Sequence, residues 1–181
     1  VIGVPLGVIA SYNKWYRDIQ NVVLDAMQTL PYFCYLIPVL MFFGGNIVSA
    51  VIATVIYSVP PIIRLTALGL SQVSGSYSEV SKSFGGTGIQ TLNKVKFPLA
   101  VPSLVMGFNQ TVIMAFAMQI VTPLIGGKGL GLQVFNALQR SDTGRGLSAG
   151  LAIVLLAIII DRITHASVSY THLTLPTRIR V

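Results

Sequence analysis

The sequence predicts an all-α integral membrane protein, and three observations predict it. Of 181 residues, 53% are hydrophobic and 9% are charged, where a soluble domain carries roughly 25% charged residues. That is too little charge to cover a water-soluble core of this size. The charges are also segregated, with none between Asp25 and Arg64, between Lys96 and Lys128, or between Arg145 and Asp161. A membrane span takes roughly 17 to 25 mostly apolar residues, which the first two intervals supply outright and the third approaches. A mean hydropathy of +0.75 points the same way. Disorder and a disulfide-stapled secreted fold are excluded, since Cys34 is the one cysteine. The net charge of +7 comes without a Lys/Arg cluster dense enough to hold a nucleic acid.

Taken in order, residues 1–12 read as the remnant of a first span in an N-terminally truncated chain, closed by the basic and aromatic group Lys14, Trp15, Tyr16 and Arg17. Interfacial aromatics beside basic residues mark a cytoplasmic helix end. Residues 19–29 are mixed and read as a helical lead-in near the interface. A second span runs from about Leu30 to Phe43 with Pro31 and Pro38 in it, and Gly44-Gly45-Asn46 turns the chain. A third covers about Ile47 to Leu68, kinked by Pro60-Pro61, with Arg64 one turn later. Residues 69–96 are the longest polar stretch. Within them Tyr77 to Phe84 reads as a short helix with an apolar face of Tyr77, Val80 and Phe84, capped by Ser76 or Ser78 and closed by Gly85-Gly86. A fourth span follows at about Leu99 to Ile125. A glycine-rich linker with a short helix around Leu132 to Leu138 leads to a fifth span, about Leu147 to Ile160. The expectation is one partial and four complete spans over residues 1–167. Residues 168–181 are Thr-rich, contain Pro176 and lack a helical period, and read as a non-native tail.

Basic residues orient the chain. Lys14, Arg17, Lys82, Lys94, Lys96 and Arg162 fall on one side, and Lys128, Arg140 and Arg145 on the other. Six against three makes the first side cytoplasmic.

Catalytic constellations are missing: Glu79 is the single glutamate, and no CxxC, HExxH, Walker A or GxSxG pattern occurs. The reading is therefore not an enzyme, with no catalytic residues and no metal ligands. What remains is the loop helix. A short helix between spans with an apolar face cannot stabilise itself and needs something to dock against, either a partner protein or the lipid surface.

The run Glu79-Val80-Ser81-Lys82-Ser83-Phe84-Gly85, followed after nine residues by Val95-Lys96-Phe97-Pro98, resembles the cytoplasmic "EAA" signature of the membrane subunits of binding-protein-dependent ABC importers. That signature reads Glu-Ala-Ala, three residues, Gly, nine residues, Ile-x-Leu-Pro. Glu79, Gly85 and Pro98 match; Val95 stands for Ile and Phe97 for Leu, while Val80 and Ser81 replace the two alanines. The resemblance implies a multi-span permease fold in a bacterial inner membrane. It also implies that this segment is a coupling helix seated in a groove of a cytoplasmic ATP-binding cassette subunit. Residues 24–31, 35–38, 60–66 and 107–111, with the Gly126 to Gly131 linker, resemble more narrowly the permeases of glycine betaine/proline betaine uptake systems. Choline and carnitine systems are near relatives of these. The implied partners are the ATPase, which would bind Mg-ATP in place of any cofactor in this chain, an extracytoplasmic substrate-binding protein, a second permease subunit forming a homodimer, and the bilayer; no nucleic acid is implied.

Other polar residues keep two readings each. Arg64 either snorkels to the headgroups or makes a hydrogen bond between spans or subunits. Asn109, Gln110 and Gln119 are either interhelical glue or line a translocation path. A non-transporting scaffold that recruits a soluble partner is the rival from another class. A secondary carrier would want a titratable group at mid-depth and internal repeats, and neither is found.

Overall fold

The computed structural model describes residues 2–172, and they are helical nearly throughout. In order, the α-helices are α1 (Gly3–Tyr12), α2 (Lys14–Thr29), α3 (Phe33–Phe43), α4 (Ile47–Ser58), α5 (Pro60–Gln72), α6 (Gly75–Ser83), α7 (Gly88–Thr91), α8 (Phe97–Gln119), α9 (Leu130–Gln139) and α10 (Thr143–His172). A π-helical turn at Leu92–Lys96 leads into α8, and a 3-10 turn at Thr122–Ile125 follows it. The all-α membrane fold expected from the sequence is the fold observed.

Local chemistry sets the breaks. Asn13 caps α2 by accepting from the Tyr16 N–H, and Asn46 caps α4 by accepting from the Ser49 N–H. Pro60 and Pro61 lack the N–H groups that would continue α4, so the chain restarts as α5 after Val59. Together the two form a 26-residue run, Ile47–Gln72, about 39 Å long at 1.5 Å per residue. Ahead of Pro98 the Phe97 N–H reaches back to the Leu92 carbonyl. The wider π turn absorbs what an α-helix would suffer from a proline near its first turn. The helical run Gly88–Gln119 is thereby 32 residues long, and Thr143–Thr164 supplies a third run of 22.

The second span is bent. Leu30, ahead of Pro31, takes an extended conformation at φ −70°, ψ 132°, as a residue before proline is driven to do. Lys14–Thr29 and Phe33–Phe43 consequently meet at 96°. The 11 residues of α3 reach only about 16 Å, short of a hydrocarbon core of about 30 Å. Three helices are long and apolar enough to cross a membrane among the described residues, and a fourth crossing requires the bent pair.

α5 is the centre of the packing. Gly3 and Gly7 of α1 sit on it: a Cβ at Gly3 would lie 2.4 Å from Ile62 Cγ2, and one at Gly7 would lie 2.6 Å from Thr66 Cβ. On the α8 side, a Cβ at Gly69 would meet Ser103 Cβ at 2.6 Å, and one at Gly107 would meet Leu65 Cβ at 3.1 Å. Those pairings make α1 parallel and α8 antiparallel to α5. A second cluster of Leu36, Val39, Ala50, Ala53, Met118 and Ile125 joins α3, α4 and the end of α8. α9 and α10 pack as a hairpin, with α10 also against α8.

The two ends follow from this. The Lys96 ammonium lies 5.2 Å from the Tyr12 ring centre, so the α1–α2 corner and the end of the 69–96 loop share one face. Gly126 lies against Asn46, so the α3–α4 turn and the glycine-rich linker share the other. The basic-residue count had grouped the segments the same way. Of the segment read as a tail, residues 173–181 lie outside the described residues, and α10 extends to His172.

Because the α1–α5 seam closes on hydrogen atoms, Gly7→Val should lower stability by about 1 to 3 kcal/mol through overpacking. Gly150 has nothing within 4 Å of its Cβ position, so Gly150→Ala should leave stability unchanged or raise it by about 0.4 to 1 kcal/mol. Thermal unfolding in detergent micelles compares the two.

Candidate functional site

α6 hangs between the ends of α5 and α8, and none of its residues is buried. Its start is less tightly made than expected. The helix begins at Gly75, which puts Ser76 and Ser78 inside it rather than at its cap; Ser74 is the N-cap, makes no side-chain cap bond, and its hydroxyl bonds that of Ser76 at 2.8 Å. Its end is firmly made. The Gly85 N–H donates to the Lys82 carbonyl at 2.8 Å and the Gly86 N–H to the Ser81 carbonyl at 2.9 Å, the paired bonds of a Schellman closure. Gly85 supplies the required φ of +75°, which costs a residue with a side chain roughly 1 to 2 kcal/mol.

The two glycines have different tasks. A Cβ at Gly85 would meet nothing within 4 Å, whereas one at Gly86 would lie 2.7 Å from both the Ser81 carbonyl and its hydroxyl oxygen. Within this chain the close backbone approach is made at Gly86. Thr87 and Gln90 then form a reciprocal capping box that starts α7. Thr91, buried, is hydrogen bonded to Ser81 at 2.8 Å, which pins α6 to the stretch leading into α8.

This folding leaves a groove of about 500 Å³ whose walls include Tyr77, Val80, Ser81, Phe84 and Val95, with Lys94 at its edge. Tyr77, Val80 and Phe84 are exposed, Phe84 at 88%. Of the residues singled out from the sequence, Val80, Ser81 and Val95 come together here. Glu79 lies on the exposed surface of α6 outside the groove lining, and Pro98 stands at the start of α8.

The polar residues of the spans do not converge on one path. The Arg64 Nη2 donates to Asp25 Oδ1 at 2.6 Å, joining α5 to α2. Asn109 is buried in α8 with both amide atoms unpartnered, while neighbouring Gln110 is exposed. Gln119 lies at the far end of α8, beside a cavity it shares with α4 and Lys128. Asp25 had no signal in the sequence beyond being charged. The Gly3 and Gly7 seat did have one, since two small residues four apart in an apolar segment mark a close helix contact.

Residues 3–169 match the family model described as "Binding-protein-dependent transport system inner membrane component". The chain is 43% identical over 164 residues to the glycine betaine transport system permease protein OpuAB of Bacillus subtilis, covering 91% of this chain and 58% of that protein. It is 46% identical over 166 residues to the glycine betaine/carnitine transport permease protein GbuB of Listeria monocytogenes, covering 92% and 59%. The chain thus spans less than two thirds of the length of these relatives. In fold it is similar to a chain of the inward-facing MetNI methionine ABC transporter, with a TM-score of 0.77 at 22% identity over 91% of this chain and 85% of that one.

The seat of α6 predicts an ordering among glycine variants. Gly86→Ala forces the Ser81 backbone away, and Gly85→Ala strains the closure, so both should speed amide hydrogen exchange across residues 75–83. Gly88→Ala, with nothing within 4 Å of its Cβ position, should leave exchange unchanged.

Proposed function

The chain belongs to the binding-protein-dependent transport system inner membrane component family, and from that premise we propose that it is the permease subunit of an ATP-driven importer for glycine betaine or a related compatible solute. Proline betaine, choline and carnitine are the related solutes considered. The solute class rests on the relatives, whose names specify glycine betaine transport. The permease has no bond chemistry to perform. A cytoplasmic ATPase subunit binds and hydrolyses Mg-ATP, an extracytoplasmic binding protein delivers solute, and a second permease subunit, a copy of this one, completes the path.

The observation that carries the reading is α6 itself. It is a nine-residue helix, shorter than the roughly 12 to 15 residues at which isolated helices become even marginal in water. It presents Tyr77, Val80 and Phe84 to solvent, and Lys94 lines the groove beside them. Such a helix is made to be completed by a partner, and the Glu79, Gly85 and Pro98 spacing supports an ATPase as that partner. Closure of two ATPase subunits would then move α6. The motion passes to α5 through the short connection after Gln72 and to α8 through the Ser81–Thr91 bond, a coupling of distant sites through packed helices. The scaffold reading gains no observation of its own.

Gly85→Asp in the full-length assembly should still insert but fail to retain the ATPase, abolishing uptake. It strains the helix closure and places an unpaired charge in the contact, at a cost of about 1 to 3 kcal/mol or more. Glu79→Ala should be milder, losing one orienting interaction of about 1 to 3 kcal/mol. Co-purification of the ATPase together with ATP-dependent uptake reads both, and normal values in G85D would sink the coupling role. Orientation is tested separately. Cysteines placed at 69–96 should be protected from a membrane-impermeant thiol reagent in intact cells, while those at 128–146 should react; the reverse pattern would detach α6 from any cytoplasmic partner.

A further inference from the structure

The geometry points to a binding site for a small carboxylated zwitterion in the cavity between α4 and the far end of α8, with Lys128 and Gln119 taking the carboxylate and aliphatic side chains of α4 taking the methylated ammonium end. This inference rests on the importer reading and adds a place and a recognition chemistry to it.

The cavity is lined by α4, the end of α8 and the glycine-rich linker and holds about 180 Å³, below the about 300 to 1,000 Å³ of drug-sized pockets. Its occupant is therefore a small metabolite. One wall is aliphatic, made by Ile47, Ala50, Val51 and Val55. The hydroxyls at its edge are engaged: Thr54 donates to the Ala50 carbonyl at 2.8 Å, and Thr122 to the Gln119 carbonyl at 3.3 Å. The Gln119 side-chain amide and the Lys128 ammonium carry no hydrogen bond or ion pair among the described residues. Open polar capacity is thus gathered at one side of an apolar wall.

Lys128 is held there by backbone construction. A Cβ at Gly126 would lie 2.7 Å from the Asn46 nitrogen, one at Gly127 would lie 2.7 Å from Thr122 Oγ1, and one at Gly131 would lie 1.8 Å from the Gln119 carbonyl oxygen. Gly126 and Gly129 take φ of +92° and +100°, where side chains are strained. Glycines on both sides of Lys128 therefore press the linker onto the ends of α4 and α8 and place Lys128 in the cavity lining. A carboxylate meets Lys128 with opposite charge and accepts from Gln119. The methyl groups of a quaternary ammonium need no hydrogen bond and pack on the α4 wall. A methylated cation without a carboxylate meets Lys128 with like charge, so the site prefers the zwitterion. The structural alternative is that Lys128 only offsets the carbonyl end of α8.

The test uses the assembled full-length importer with Cys34→Ser, so that an introduced Val51→Cys is the reactive thiol read. Ile47→Cys serves as a second reporter should V51C disturb assembly. Glycine betaine should slow labelling by a membrane-impermeant thiol reagent in the ratio 1 + [L]/Kd, about tenfold at ten times Kd, and choline should protect much less. Lys128→Met should abolish protection by glycine betaine, and Lys128→Arg should restore it. No protection in the Lys128 protein, or equal protection in K128M, overturns the site. Uptake by the unsubstituted importer is measured in parallel. Accumulation of glycine betaine without protection removes the site alone, whereas failure to accumulate any zwitterion removes the importer reading and the site with it.

Discussion

Close approach of helix backbones to α5 is the constraint on which the remaining structure depends. Helices in a bilayer gain little by exchanging lipid for one another's apolar side chains, so they associate where small residues let backbones close and dispersion contacts accumulate. α5 meets Gly3 and Gly7 of α1 on one side and faces Gly107 and Ser103 of α8 on another, with its own Gly69 seated on Ser103. Arg64 adds an ion pair to α2. A helix engaged on three sides is a rigid element, and the polar loop emerges from its end.

The two ends of the fold are built differently. At the α6 end, order comes from hydrogen-bonded closure: the Schellman bonds at Gly85 and Gly86, the Thr87–Gln90 capping box and the Ser81–Thr91 bond. Burial contributes little, since α6 keeps its apolar face exposed. An element held by local bonds can shift without unpacking a core. At the opposite end, order comes from glycines that bring the linker onto α4 and α8, and a cavity is left where the linker passes over them. The α4–α5 run, Ile47–Gln72, and α8 connect the two ends across the fold.

Much of this was legible in the sequence, for physical reasons that differ by element. The long spans at Ile47–Gln72, Gly88–Gln119 and Thr143–Thr164 followed from charge-free length. The end of the loop helix followed from the Gly85-Gly86 pair. The shortness of the apolar run at 30–43 was legible, and so was Pro31, but the 96° angle between the lead-in and that run was not. Arg64 was legible as a residue needing a partner, yet Asp25 was not legible as that partner, because the contact joins positions far apart in the chain. The division of labour between Gly85 and Gly86 needed coordinates, since one glycine is required by its dihedral angle and the other by a neighbouring carbonyl.

The central claim is that solute crosses this permease by ATP-driven motion delivered to α6. The most direct measurement is accumulation of radiolabelled glycine betaine in proteoliposomes holding the full-length permease. The account predicts accumulation only when the ATPase and Mg-ATP are on the α6 face and the binding protein is on the opposite face. Accumulation driven by an ion gradient without the ATPase, or none under any arrangement of the components, would contradict it.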